Sequence, residues 1–220
     1  IEREHFPKLM NILRRVDRGI RLTEDDIVWL TTKDDMYGYY TTELRERYHE
    51  NEAEFYAGEF KKRKDPWFAV NASSHYRKCE KAKTADSMLN AISVSRLKNI
   101  KLKSALCTTH GGVKRDLGKH NEALALGEQA HKLTPKDFRP CTLLGAVNME
   151  TGNHSLGESW YKKSIERGAS EKSVDNDLRS IFMRAEQDKQ EELRAYLLGK
   201  DPDRYSWVRM SPQKKPRGNR

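Results

Sequence analysis

Cysteine is scarce in this chain of 220 residues: Cys79, Cys107 and Cys141 are its only three. An odd, sparse set makes a poor disulfide framework and fits a reducing compartment, so a cytoplasmic protein is expected. Long apolar runs are missing as well. No stretch approaches the roughly 20 residues that cross a bilayer, so no membrane association is expected. Strand-like alternation persists nowhere, and Asn-Gly or Asp-Gly hairpin signals are absent. Catalytic signatures are lacking too: there is no G-x-S-x-G elbow and no G-x4-G-K-[ST] phosphate loop. The glycines of HGGVK (110–114) do not make one. The expectation is a non-enzymatic, all-α protein with no cofactor and no metal.

Charge is abundant, at 34% of residues with a net +9, and it is unevenly placed. Residues 1–66 come to −2, 67–103 to +6, 104–170 to +2 and 171–210 to −1, while the last ten carry four basic residues and no acid. The excess sits in one internal segment and one tail. Both can attract phosphate backbones or acidic proteins through long-range fields.

Helical periodicity dominates. Phe6, Leu9, Met10, Leu13, Val16 and Ile20 share one face, with Gly19 placed for a left-handed cap. Thr23 before Glu24, Asp25 and Asp26 reads as an N-cap, and Ile27, Val28 and Leu30 follow as its buried face. KDDMYGYY (33–40) has turn chemistry, then a long helix is expected over 41–64. Asp65-Pro66 restarts the chain into a helix over 67–82, and Thr84 is placed to cap a shorter one through Ile92. Near the end, Leu178, Ile181 and Phe182 lie on one helix and Leu193, Leu197 and Leu198 on the next. Gly199 and Pro202 follow, and Tyr205, Trp207 and Val208 are set to fold back.

Shifting the chain by 34 residues aligns 107–120 with 141–154 at six of fourteen positions. Ordinary composition would give about one. Cys107 meets Cys141, Thr108 meets Thr142, Gly111 meets Gly145, Val113 meets Val147, Gly118 meets Gly152 and His120 meets His154. A 34-residue period marks a helical repeat. Here the chain resembles the tetratricopeptide repeat family. One unit, 104–137, matches its pattern at Gly111, Ala123, Ala130 and Pro135; a second, 138–171, matches at Leu144, Gly145 and Tyr161. Cys107 and Cys141 stand where the motif has a large aromatic, Gly127 where it has a later one, and Gly157 where it has alanine.

The resemblance implies antiparallel helix pairs in a short right-handed solenoid with helical caps. Its organisation would be an N-terminal helical region (1–66), a basic connector or degenerate pair (67–103), two repeat units (104–171), capping helices (172–210) and a disordered basic tail (211–220). It also implies a groove for a protein partner, or for another domain of a longer chain, lined by Thr108, Arg115, Asp116, Arg139, Thr142, Met149 and Glu150. Gly112 and Ala146 stand where relatives that clamp a peptide carboxylate have asparagine. Such a chain is expected to be a scaffold or adaptor. The opening Ile1 and the proline-bearing tail suit a domain of a larger protein or assembly.

The alternative is a nucleic-acid-associated module. Arg77, Lys78, Lys81, Lys83, Arg96, Lys98, Lys101 and Lys103 would form its electrostatic platform with the tail, and the binding would be non-specific. His75, Cys79, Cys107 and His110 have the residue types of a Cys2His2 zinc site, but Cys107 and Cys141 occupy equivalent repeat positions and read as small core residues. Glu46-x2-His49 lacks the second copy that a di-iron bundle needs. Nothing in the pattern sets an oligomeric state.

Overall fold

The computed structural model describes residues 1–209, which include eleven α-helices and no strand. The expected disordered tail lies outside the described residues. The chain divides into two compact units, Ile1–Leu117 and a second beginning at Gly118. The 104–137 repeat therefore contributes its first helix to one unit and its second helix to the other.

The first unit holds α1 (Phe6–Asp17), α2 (Glu24–Tyr37), α3 (Thr42–Arg63), α4 (Pro66–Lys78), α5 (Ala82–Asn90) and α6 (Ile100–Asp116). Local chemistry sets most of these ends. Gly19 has φ +69° after α1. Thr23 accepts from the Asp26 amide while Asp26 accepts from the Thr23 amide, a reciprocal capping box. Asp65 caps α4 by accepting from the Trp67 amide at 3.0 Å, with Pro66 at the first position. Two boundaries differ from expectation. The turn expected over 33–40 begins later, because α2 runs to Tyr37 and stops at left-handed Gly38. Thr84 caps nothing: α5 starts at Ala82, at a tight turn out of α4.

The face of α1 is also rotated from the one expected. Leu9, Ile12 and Val16 are buried with Leu30, Tyr39 and Leu44, whereas Phe6, Ile20 and Val28 stand 52%, 47% and 62% exposed. A larger core joins α3 to α6 through Ala53, Ala57, Ala69, Ala72 and Ala85, closed by Tyr76, Leu89, Leu102 and Leu106. Its small side chains let the helix backbones approach closely.

The second unit holds α7 (His120–Leu133), α8 (Phe138–Glu150), α9 (His154–Glu166), α10 (Glu171–Arg184) and α11 (Gln187–Lys200). Its core gathers Ala146, Met149, Tyr161, Val174, Leu178, Ile181, Phe182, Leu193 and Leu197. Val208 is fully buried in it, and Trp207 meets Phe182 edge-on at 5.5 Å, so the chain does fold back after α11.

The repeat residues explain the close packing of α8 on α9. A Cβ at Gly145 would lie 2.8 Å from the Tyr161 ring. One at Gly157 would lie 2.9 Å from Met149 Cγ and 3.0 Å from the Gly145 carbonyl oxygen. Alanine, the family residue, does not fit at 157 without moving a backbone. Gly127, in its aromatic slot, faces Leu144 at 2.9 Å in the same sense.

One turn recurs. Three residues join α4 to α5, α6 to α7 and α8 to α9, and the middle residue is left-handed each time: Glu80 at φ +58°, Gly118 at +72°, Gly152 at +84°. The residue after it closes the turn. Lys81 N–H donates to the Tyr76 carbonyl at 2.8 Å, and Asn153 N–H to the Asn148 carbonyl at 2.9 Å. The α4–α5 pair is thus a hairpin of the same kind as α8–α9, although its sequence matches the motif poorly.

Packing repeats as well. In the first unit, α4 meets α5, and both meet α6. In the second, α8 meets α9, α7 packs on α8, and α10 packs on α8. In each unit the leading helix of the following pair packs on the leading helix before it, and in the first unit on its partner as well.

Candidate functional site

The groove residues occupy very different surroundings. Thr108 and Thr142 turn their hydroxyls back onto the carbonyls of Ser104 (2.8 Å) and Phe138 (3.2 Å) in their own helices. Arg139 is exposed; its guanidinium sits 4.8 Å from the Phe138 ring and 3.4 Å from Asp137. Glu150 pairs with Arg184 at 3.3 Å and with His120 at 3.7 Å. Arg115 is half-buried. Met149 is 3% exposed in the core of the second unit, so it offers a groove along α8 almost no surface. Asp116 is held by Arg77, whose Nε and Nη2 donate to its two oxygens at 2.6 and 3.2 Å. Arg77 lies flat across Gly112, where a Cβ would be 2.3 Å from its Nη1. The position where peptide-clamping tetratricopeptide proteins carry asparagine is therefore covered here by an arginine of the neighbouring helix.

The basic segment splits in two. Arg77, Lys78, Lys81 and Lys83 lie at the α4–α5 turn; Arg96, Lys98, Lys101 and Lys103 lie where α5 passes into α6. At the first end, Asp116 neutralises Arg77, and Glu50 takes Lys81 at 2.5 Å. The hydrogen bond from Lys81, then that from Arg47, holds the Glu50 carboxyl below its ordinary range.

No zinc site assembles. His110 bonds Asp86 at 2.7 Å, His75 faces His49, Cys79 donates to the Tyr76 carbonyl, and Cys107 is buried. Among the described residues no three His, Cys, Asp or Glu side chains converge as a metal site. Asp86 also accepts from Lys114 at 2.9 Å, which ties α5 to α6. Burial works to raise the Asp86 pKa, but the hydrogen bonds from Lys114 and His110 outweigh it.

Cys141 is the thiol with a histidine nearest to hand, 3.8 Å from His131 Nδ1, and Arg167 also contacts its sulfur. Burial pushes that thiol up, and at 0% exposure no substrate reaches it. It is a core residue, as the repeat register indicates.

Sequence reasoning missed a cleft in the second unit. Its volume is about 540 Å³, and it opens among α8, α9, α10 and α11. Met149, Ile165, Val174, Leu178 and Leu197 give it an apolar floor. Glu158 anchors its rim: Lys200 lies 2.8 Å away and the Tyr196 hydroxyl donates to it, and these two bonds hold its carboxyl low. Arg204 reaches Asp175 at 2.9 Å across the mouth. Burial raises the Tyr205 phenol, and Lys162 and Glu166 add charge to the same lining. Such a lining suits apolar side chains delivered with polar backbone. The residues come from four successive helices, α8 to α11, and the segment that follows them, and no local motif announces them.

No helix among the described residues is long and apolar enough to cross a membrane. No family model, no curated protein and no solved structure matches this chain.

Proposed function

We propose that this chain is a non-enzymatic interaction scaffold, built of tetratricopeptide-like hairpins, that docks a protein partner or another domain of a longer chain. The observation that carries the reading is the recurrent turn with its left-handed middle residue, together with the packing of the next pair's leading helix on the leading helix before it, α6 on α4 and α10 on α8. Helices held this way lose little entropy on docking, which is what a binding scaffold needs. The cleft supports it further: its volume lies in the range of sites that take a ligand's apolar groups, roughly 300–1,000 Å³. Side chains of a bound segment enter there. Arg139 in the second unit and Arg115 in the first each supply a cation for acidic residues of a partner.

Photocrosslinking tests this. A benzophenone amino acid is placed at Thr142 or at Ser159, the latter on the cleft wall. The protein captured is purified and its binding measured by calorimetry. The expected result is one saturable partner whose affinity falls at least about tenfold, or ~1.4 kcal/mol, on Arg115→Glu with Arg139→Glu. Adducts that never saturate, or a partner indifferent to both reversals, would overturn the reading.

A further inference from the structure

From Ser87 to Arg115 the chain has no carboxylate, yet it carries Arg96, Lys98, Lys101 and Lys103. The fold places these four at one elbow. A single 3-10 turn, Val94–Arg96, interrupts the passage from α5, and α6 begins at Ile100. Arg96, Lys98 and Lys101 are exposed, and none has an ion-pair partner among the described residues. The α6 helix adds to the imbalance. Its first turn holds no acid, and Lys101 and Lys103 lie at the end where the helix dipole is itself positive. The cations at the opposite end of α5, about 13 Å away along its nine residues, are in part neutralised by Asp116 and Glu50. Positive charge is thus concentrated at the elbow, and the 87–115 segment supplies no carboxylate to answer it.

The kind of polyanion follows from what is absent nearby. Between Arg77 and Asp137 the chain has no Phe, Tyr or Trp. A single strand without base pairs is held largely by stacking its bases on aromatic rings, and the segment that carries the four cations has none of its own. Contacts to phosphate need only cations and hydroxyls. The Ser93 and Ser95 hydroxyls, 3.1 Å apart, stand beside the cations. We propose that the α5–α6 elbow, through Arg96, Lys98, Lys101 and Lys103, binds the phosphate backbone of duplex nucleic acid without reading its sequence. This surface is separate from the docking proposed above and does not depend on it.

The test is fluorescence anisotropy of the full chain with a labelled duplex DNA and with one strand of it, titrated between about 50 and 200 mM salt. Four phosphate contacts give a slope of log affinity on log salt near −3.6, a loss of about a hundredfold over that range. Arg96→Gln/Lys98→Gln/Lys101→Gln should remove about 2.7 of that slope and weaken binding at low salt at least about tenfold. Lys78→Gln/Lys83→Gln, at the far end of α5, should change the slope by far less. Circular-dichroism melts check that each variant is folded, and Lys98→Glu alone gives an independent arm that should weaken binding in the same direction. Unchanged binding by the triple variant and Lys98→Glu overturns the proposal. So does an equal loss in the far-end variant, a single strand held as tightly as the duplex, or binding to anionic lipid vesicles in place of the duplex.

Discussion

Acidification from neutral pH loads the contact between α3 and α4 with a proton that the folded first unit solvates poorly. His49 is 9% exposed, and its Nδ1 lies 3.0 Å from Nδ1 of His75. One nitrogen donates and the other accepts, so the pair is built from two neutral rings. Burial above all, then the positive charges of Lys78, His75 and Arg45, push His49 from 6.5 down to about 4. Burial, then Lys78, lowers His75 as well, against the opposing pull of Glu52. An unfolded imidazole titrates near its ordinary value, so between about 6.5 and 4 the unfolded chain binds more protons than the folded one. Stability is therefore whole above that window and falls as pH drops through it. At about 1.4 kcal/mol for each unit, His49 alone costs about 3 kcal/mol by the bottom of the window. That is a large share of the roughly 5–15 kcal/mol that holds a typical domain. The assay is urea unfolding followed by Trp29 and Trp67 fluorescence, at steps from about pH 7 to pH 4.5, for the wild type and His49→Gln. The wild type should lose midpoint steadily through the window. The variant, lower at neutral pH, should fall less steeply, so that the two converge. A flat wild-type profile above pH 5, or equal slopes for both proteins, refutes the reasoning.

Two further substitutions test the packing. Gly157→Ala puts a methyl 3.0 Å from the Met149 amide and the Gly145 carbonyl, backbone atoms that cannot rotate away. It should cost about 1–3 kcal/mol in the second unit, read as a lower urea midpoint. Glu80→Gly relieves a left-handed residue at φ +58° in the α4–α5 turn. It should raise the melting temperature of the first unit, by about 0.5–1 kcal/mol after allowing for the freer unfolded chain.

Features set by a few neighbouring residues were legible in the sequence. The Thr23 cap, the Pro66 restart and the left-handed glycines at 19, 118 and 152 each depend on backbone chemistry within a turn or two. Faces were less so. Period alone makes Phe6 and Ile20 as eligible as Ile12, and only the neighbour packed against α1 decides which is covered. The α4–α5 hairpin escaped the repeat search because Glu80 holds the slot that glycine fills elsewhere, and because a nine-residue connection breaks the period before α6. Pairings across the chain left no local trace. Nothing near Arg77 announces Asp116, nothing near His49 announces His75, and the walls of the cleft come from four successive helices and the segment that follows them.

The glycine seam between α8 and α9 also sets the order in which the second unit opens. Gly145 and Gly157 bring the two helices close enough that a methyl would collide, so water has no room to reach the amides along that line. The later pair is joined far more sparsely, α10 to α11. Amide protons facing the seam should therefore exchange more slowly than those on α11, a ranking that native-state hydrogen exchange reads directly.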